Sequence, residues 1–520
     1  MIVNLVLNND TEGIKCLIND QPGILTTTFG KYKKSLLNIA AAVGSKEMVT
    51  LLVEKGFDIN IRDKHKNTPL HAACMSNNYE AISSLLRHGA DVNLTNYLSQ
   101  TPTHIAAKAG DAKVIKLLFE YDVKRNMIDG KGETFLTVAV KHDKYSTVEL
   151  LLQNGCDVNG HGYDGKSLVE IATESENYKI AGLLLSYGAN VHGISELKNA
   201  TIHAAVERND LLLVELFISH NADVNAINER GWTPLHIAAW KGYRDILELI
   251  IQNGADVNKK NGQGQTPLYL SAFNNHTDVT WQLIENKANI HSKNNYGWTP
   301  LHAAAFNGHT TTISVLLMAR SNANDKTNFN QTPLYLAVYS NQLESVSILI
   351  KHSVKMNTKT CNGHTALHIA AQYEYIDIMK LLLSNEAHVN VQDEAKLTPL
   401  HLAVICNKIH SVQMLLQRGA QIDKIDARGN TSLHISSERG YSNMLELLLE
   451  NGASINAVNF YGWTSLHKSA YNNHYDVAEC LLMHNIKSNI TSWGRTAYDV
   501  ALLKGHQQLA CLIKNFRKDV

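Results

Sequence analysis

Helix-start residues recur at intervals of 33 from Ser35 to Thr464 without one insertion or deletion. The slots hold Ser35, Thr68, Thr101, Thr134, Ser167, Ala200, Thr233, Thr266, Thr299, Thr332, Thr365, Thr398, Thr431 and Thr464. A further start, Thr496, follows after a step of 32. A fixed period of this length marks a solenoid, in which each unit is one supersecondary element that buries its apolar face only against the next copy. The ordinary expectation that 520 residues make several globular domains therefore gives way to one elongated array. Little chain remains for a separate catalytic domain.

The unit spanning residues 228–260, NERGWTPLHIAAWKGYRDILELIIQNGADVNKK, shows the physics of the repeat. The Thr233 hydroxyl is suited to cap a helix, and Pro234 to its first turn, where the missing N–H costs nothing. Leu235, Ile237, Ala238 and Ala239 predict a short helix whose small residues admit close neighbours, ended by Gly242. Ile246, Leu249 and Ile250 share one face of a second helix, and Gly254 stands where a C-terminal cap needs a left-handed backbone. Ala255 to Gly264 is rich in Asn, Asp and Gly, as a projecting β-turn or hairpin requires.

This pattern resembles the ankyrin repeat. TPLHxAA stands nearly intact at Thr68, Thr233 and Thr299, and GADVN recurs at Gly89 and Gly254. The resemblance covers the chain from about residue 30 onward and implies an all-α repeat solenoid: stacked helix-turn-helix units joined by β-turn or hairpin loops, curved around a concave groove. Residues 1–29 read as a degenerate N-terminal capping repeat with its second helix over Glu12 to Ile18, 30–490 as fourteen repeats, and 491–520 as a C-terminal capping repeat. The pattern departs most in units four to six (TFLTVA at Thr134, SLVEIA at Ser167, ATIHAA at Ala200), which are expected to stack less well.

Composition narrows the function classes. With 44% hydrophobic and 18% charged residues the chain is expected to fold rather than stay disordered. Lys plus Arg and Asp plus Glu both number 48, so no net field draws the protein to nucleic acid or to a membrane. Seven dispersed cysteines without a CxxC pair suit reduced thiols in a cytosol-like compartment. The N-terminal MIVNLVLNNDTEG lacks the basic region and apolar length of a signal peptide. No apolar run approaches the ~20 residues of a membrane helix. A soluble, monomeric, cytoplasmic protein is expected.

Two patterns invite a chemical reading. Residues Gly160, Gly165, Lys166 and Ser167 satisfy the phosphate-loop pattern GxxxxGK[ST]. That loop works when a buried strand delivers it to a helix N-terminus. Here the preceding Asn154 to Asn159 is turn-forming, and Gly165 and Ser167 occupy ordinary repeat slots, so nucleotide binding is not expected. Of 25 histidines, nine (His71, His104, His203, His236, His302, His368, His401, His434, His467) fill the same TPLH slot. Neighbouring helices pack ~8–10 Å apart, too far for single histidines to share a zinc at ~2 Å. In the ankyrin family this histidine bonds backbone between units. His364 precedes a helix and lacks a third ligand beside His368. No cofactor, metal, small-molecule substrate or catalytic residue is expected.

The slot seven residues after each start varies informatively. Units two to six carry Met75, Lys108, Lys141, Glu174 and Glu207; units seven to ten carry Trp240, Phe273, Phe306 and Tyr339. Unit eleven has Gln372 followed by Tyr373, and unit fourteen Tyr471. The turns add Trp232, Tyr296, Trp298 and Phe329, then Phe460, Tyr461, Trp463 and Trp493. Aromatic residues are only 7% of the chain, so four in a row at one slot asks for a cause. One reading makes these rings ordinary packing between helices or against hairpin stems, and the recurrence of GWT favours it for Trp232, Trp298 and Trp463. The other makes them a stripe that anchors a protein partner, because binding hot spots favour Trp and Tyr. Both stand at this stage.

The family resemblance then implies a non-enzymatic scaffold binding protein through its concave face. No appended F-box, death, kinase or channel segment is expected beyond the last helix. An Asn- and Lys-rich composition also suits a secreted effector of an intracellular bacterium or parasite acting in a host cytosol. A regulatory or substrate-recruiting subunit of an enzyme complex is the other alternative. Turn asparagines such as Asn93, Asn225 and Asn258 are implied candidates for hydroxylation in an animal cell.

Overall fold

The computed structural model describes residues 2–190 and 201–516. The start slot Ala200 and the last four residues lie outside them, as does the side chain of Thr201. Among the described residues the chain forms 32 α-helices and one 3₁₀ turn at Pro22–Thr26. Pairing across strands is confined there to four isolated bridges, such as His161 with Ser167.

The repeat sets each helix boundary. In unit nine the Thr299 hydroxyl accepts the N–H of His302 at 3.5 Å, and the Thr299 N–H donates to His302 Nδ1 at 3.2 Å. Pro300 fills the first turn, and Gly308 ends the helix with φ +79°. In unit seven the first helix is Pro234–Lys241 and the second Arg244–Gln252. Gly242 and Gly254 take φ of +79° and +89°, the left-handed stops that the sequence requires of them. Asparagine, the best non-glycine residue for this conformation, replaces glycine as the first stop at Asn77, Asn209, Asn275, Asn341 and Asn407, with φ between +53° and +62°. At the chain start Ile2–Leu7 and Thr11–Asp20 form a helix pair that buries Val6, Ile14 and Ile18.

The described residues group into two compact units, Met1–Pro234 and Leu235–Val520. Within each, first helices pack on first helices and second on second. In the C-terminal unit Leu301, Ala304, Ala305, Ile313 and Leu316 are completely buried and belong to one core running on through Ile513. Alanine at the facing positions lets the first helices approach closely. In the N-terminal unit the atypical repeats still fill their interior. Phe135 of unit four is fully buried and meets His104 edge-on at 5.4 Å and Phe119 at 6.1 Å.

Hairpin tips carry a second, finer ladder. The N–H of Asn328 donates to the Tyr296 carbonyl at 3.1 Å, and that of Cys361 to the Phe329 carbonyl at 3.0 Å. The 32-residue step before Thr496 has a local cause. In most described hairpins a five-residue turn closes through bonds such as Asn294 N–H to Trp298 O and Gly297 N–H to Asn294 O. The last hairpin instead closes Ser492 on Arg495 in both directions, at 2.8 and 3.0 Å, around only Trp493 and Gly494.

Candidate binding surface along the first helices

Positions one before, three after and seven after each helix start lie four residues apart, so they share one helix side. That spacing builds the aromatic surface of the C-terminal unit. Tyr269, in the histidine slot, stacks on Phe273 at 6.2 Å. Trp298 lies over His302 and gives Phe306 an edge contact at 5.3 Å and 63°. Trp463, His467 and Tyr471 repeat the arrangement, with Trp463 and Tyr471 5.4 Å apart.

Between units, Trp240 stacks on Phe273 at 6.0 Å and 18°, and Tyr339 meets Tyr373 edge-on at 6.4 Å and 87°. The structure therefore pairs Trp240 with Phe273, and Tyr339 with Tyr373 one residue past the slot, with Phe306 turned to its own hairpin. Among the described residues no ring contact links Phe306 to Phe273 or Tyr339.

Burial separates the set. Trp240, Phe273, Phe306 and Trp298 are half-buried, and Phe306 and Trp298 lean on the core. Tyr339 and Tyr373 keep 47% and 44% of their surface exposed, and the hairpin residues Tyr296 and Phe329 keep 63% and 58%. Trp232 stands in the N-terminal unit, half-buried, its N–H on Asn228 Oδ1 at 2.9 Å and its carbonyl receiving His203 Nε2 at 2.9 Å.

Residues outside the period escaped the sequence reading. Tyr375, next to the second helix Ile376–Ser384, stacks on Tyr373 at 5.6 Å and 18°. Lys504 places its ammonium 3.9 Å from the Tyr471 ring centroid, within cation–π range. The i, i+4 relation of Tyr269 to Phe273 was available as a signal.

The histidine slot is structural. His71 Nε2 donates to the Gln100 carbonyl of the next unit at 2.9 Å, while its Nδ1 accepts the Thr68 N–H at 3.1 Å. His302, His368 and His434 repeat this geometry. Both ring nitrogens are thus committed in the neutral form. Burial drives His71, His302 and His368 down to about 4 and lowers His104, His401, His434 and His467 as well. His364 stacks on His368 at 5.6 Å and pairs with Asp393 at 3.2 Å. Among the described residues no three His, Cys, Asp or Glu side chains gather to hold an ion.

The Gly160–Ser167 segment folds as a hairpin tip. The Gly162 N–H donates to the Lys166 carbonyl at 2.8 Å, and the Gly165 N–H to the Gly162 carbonyl at 3.0 Å. Lys166 pairs with Glu174 at 2.7 Å and Asp164 at 3.5 Å, and hydrogen bonding to Glu174 raises its pKa. Glu170 accepts both the N–H and the hydroxyl of Ser167, at 2.8 and 3.0 Å. The N–H groups of Gly162, Gly165, Lys166 and Ser167 and the Lys166 ammonium are thus engaged by the loop and by carboxylates.

Among turn asparagines, Asn93 Nδ2 donates to the Asp122 carbonyl at 3.1 Å and its Oδ1 accepts the Lys124 N–H at 2.9 Å, which clamps the next turn. Asn258 does the same with Lys287 and Asn289.

The family model "Ankyrin repeats (3 copies)" matches residues 2–96, 93–162, 169–261, 258–327, 315–393 and 388–459. The model "Ankyrin repeats (many copies)" matches residues 438–482. Comparison with curated proteins found no match. No described helix is long and apolar enough to cross a membrane.

Proposed function

Because the chain belongs to the ankyrin-repeat family, whose repeats are protein-interaction modules, we propose that it is a non-enzymatic scaffold that binds a protein partner through the first-helix and hairpin face of its C-terminal unit. The observation that carries this reading is the exposure of Tyr339 and Tyr373 in edge contact, with Tyr375 stacked behind them. Tyrosines held by neighbouring rings present apolar area and a hydroxyl at small entropic cost, which is what a binding anchor requires. Half-buried Trp240, Phe273 and Phe306, at the same slot in the three preceding units, continue the aromatic row. Tyr296 and Phe329 extend it along the hairpins.

The partner is proposed to reside in the cytoplasm, or in a host cytosol if the chain is a secreted effector, and the chain to act as a monomer. Affinity capture with the full chain, compared with the Trp240→Ala/Phe273→Ala/Phe306→Ala/Tyr339→Ala variant, tests it. Loss of specific partners from a variant that still folds is expected. An unchanged set of partners would sink the reading.

A further inference from the structure

The chain is neutral as a whole, yet its first two hairpins are strongly one-sided and the third carries no charge. Residues 29–34, 62–67 and 96–100 hold six cations, Lys31, Lys33, Lys34, Arg62, Lys64 and Lys66, together with His65. Their one carboxylate, Asp63, is buried, and it spends its oxygens on the loop: Oδ1 accepts the N–H groups of His65 and Asn67 at 2.8 Å each. A surface charge run is ordinarily a solvated face with interspersed opposite charges. Here no exposed acid lies within the three hairpins.

The tip ladder brings these segments together. Lys64 N–H donates to the Tyr32 carbonyl at 2.9 Å, and Tyr97 N–H to the His65 carbonyl at 2.8 Å. Tyr32 lies against His65 at 5.3 Å, has the Lys31 ammonium 4.8 Å from its ring centroid, and keeps 41% of its surface exposed. Behind the tips opens a cavity of about 490 Å³ whose apolar lining comes from Ala42, Ala72, Met75 and Leu98. Met75, Tyr97 and Leu98 are all exposed, at 54%, 73% and 61%.

The asparagine amides of the lining are already engaged. Asn96 Nδ2 donates to Asn67 Oδ1 at 3.1 Å, and Asn67 Nδ2 to Asp63 Oδ2 at 3.3 Å. Asn38 Oδ1 accepts the N–H and hydroxyl of Ser35. A nucleobase read through its hydrogen-bonding edges finds these amides occupied. An aliphatic or aromatic side chain needs only the apolar walls, and carboxylates beside it would meet the lysine rim.

We infer that the first three hairpins form a second, separate binding site for an acidic linear peptide that carries an apolar side chain into the Met75–Leu98 cavity. The site lies wholly within the N-terminal unit and does not depend on the aromatic surface around Tyr339.

Fluorescence anisotropy with the full chain tests it, using a labelled short peptide of alternating Glu and Leu. Matched peptides carry Gln for Glu or Ser for Leu, and an oligothymidylate serves as the competing polyanion. Binding should weaken with salt, and Lys31→Gln/Arg62→Gln/Lys64→Gln should cost about ten-fold or more, as loss of several steering charges does. Met75→Ser/Tyr97→Ala should remove the preference for Leu over Ser and leave the salt dependence. Tyr339→Ala/Tyr373→Ala should change nothing, which keeps this site's failure apart from failure of the C-terminal surface. Equal binding of the Gln peptide, tighter binding of the oligothymidylate, or indifference to the charge variant in a normally folded protein would each overturn the inference.

Discussion

Trp240 and Phe273, one repeat apart, stack with ring centroids 6.0 Å apart and planes inclined by 18°. Their contact shows that the aromatic slot is used twice, once as mortar between neighbouring units and once as exposed surface. The two uses predict different mutant behaviour. Phe306 is half-buried against Trp298 and the core, so Phe306→Ala should cost about 1–2 kcal/mol, a fraction of the ~3–5 for a fully buried ring. Tyr339→Ala and Tyr373→Ala should each stay within about 0.5 kcal/mol of the parent, because nearly half of each side chain is in water. Urea midpoints measure both, and capture of a partner should fail in the tyrosine variants rather than in Phe306→Ala.

The period made the fold legible because every unit repeats the same cap, stop and apolar face. Thr299, Pro300 and Gly308 each do what their residue type dictates, so no long-range information is needed to place that helix. The candidate surfaces were harder to read. The slot rule found Tyr339 and pointed to Tyr373, one residue past Gln372 in the slot, but not to Tyr375, which stacks on Tyr373 from just before a second helix. The basic hairpins were hidden by a net charge of zero, since a whole-chain sum cannot show that Asp63 turns inward while the lysines around it do not. The hairpin residue beside a ring does not by itself decide its burial: Phe306 is half-buried beside Trp298 and Tyr339 exposed beside Gln331, but Tyr471 is exposed beside Trp463 and Phe273 half-buried beside Gln265.

The histidine ladder should make stability fall with acid. His71, His302 and His368 titrate at about 4 in the folded chain against 6.5 when free, because burial penalises the cation. Protonation would also place a proton on Nδ1, facing the threonine N–H that now donates to it. Below pH 6.5 the unfolded state takes up protons that the folded state refuses. The contribution of each residue is therefore complete above 6.5 and is lost as pH falls toward 4, by roughly 3 kcal/mol apiece. Urea unfolding between pH 7.5 and 4.5 should show midpoints declining through this window. A flat profile would mean that the neutral ladder is not what the fold depends on.

Two glycines with the same backbone sign should respond differently to alanine. Gly254, φ +89°, has open space where a Cβ would stand, so Gly254→Ala should cost only the left-handed backbone penalty of about 1 kcal/mol. At Gly297, φ +80°, the added carbon would sit 2.6 Å from the Asn328 nitrogen and 3.0 Å from the Thr327 carbonyl carbon. Gly297→Ala must therefore also push apart two hairpins joined by the Asn328–Tyr296 bond. Thermal denaturation should place it clearly below Gly254→Ala. Equal losses would show that the tips move apart freely.

Nucleotides should leave the protein's melting temperature unchanged. Lys166 is held by Glu174 and Asp164, and Ser167 by Glu170, so a phosphate would have to displace three carboxylates. Lys166→Ala removes a largely solvent-screened pair and should cost less than about 1 kcal/mol. A melting shift with ATP and magnesium that disappears in Lys166→Ala would restore the phosphate-loop reading.

Trp493 is the residue least suited to its backbone. It adopts φ +52° in the two-residue turn between Ser492 and Arg495, while 88% of its surface faces solvent. Such turns favour Asn-Gly, because both central residues must be left-handed. The neighbouring Gly494, at φ +71°, already satisfies half of that demand. A bulky side chain in this region costs about 1–2 kcal/mol relative to the right-handed one, and the exposed indole recovers little of it by burial. Trp493→Asn should therefore stabilise the last repeat by about 0.5–1 kcal/mol. Amide exchange of Ser492 and Arg495, whose N–H groups close the turn, reads the gain locally. Faster exchange in the variant would mean that the indole makes a stabilising contact that outweighs its backbone strain.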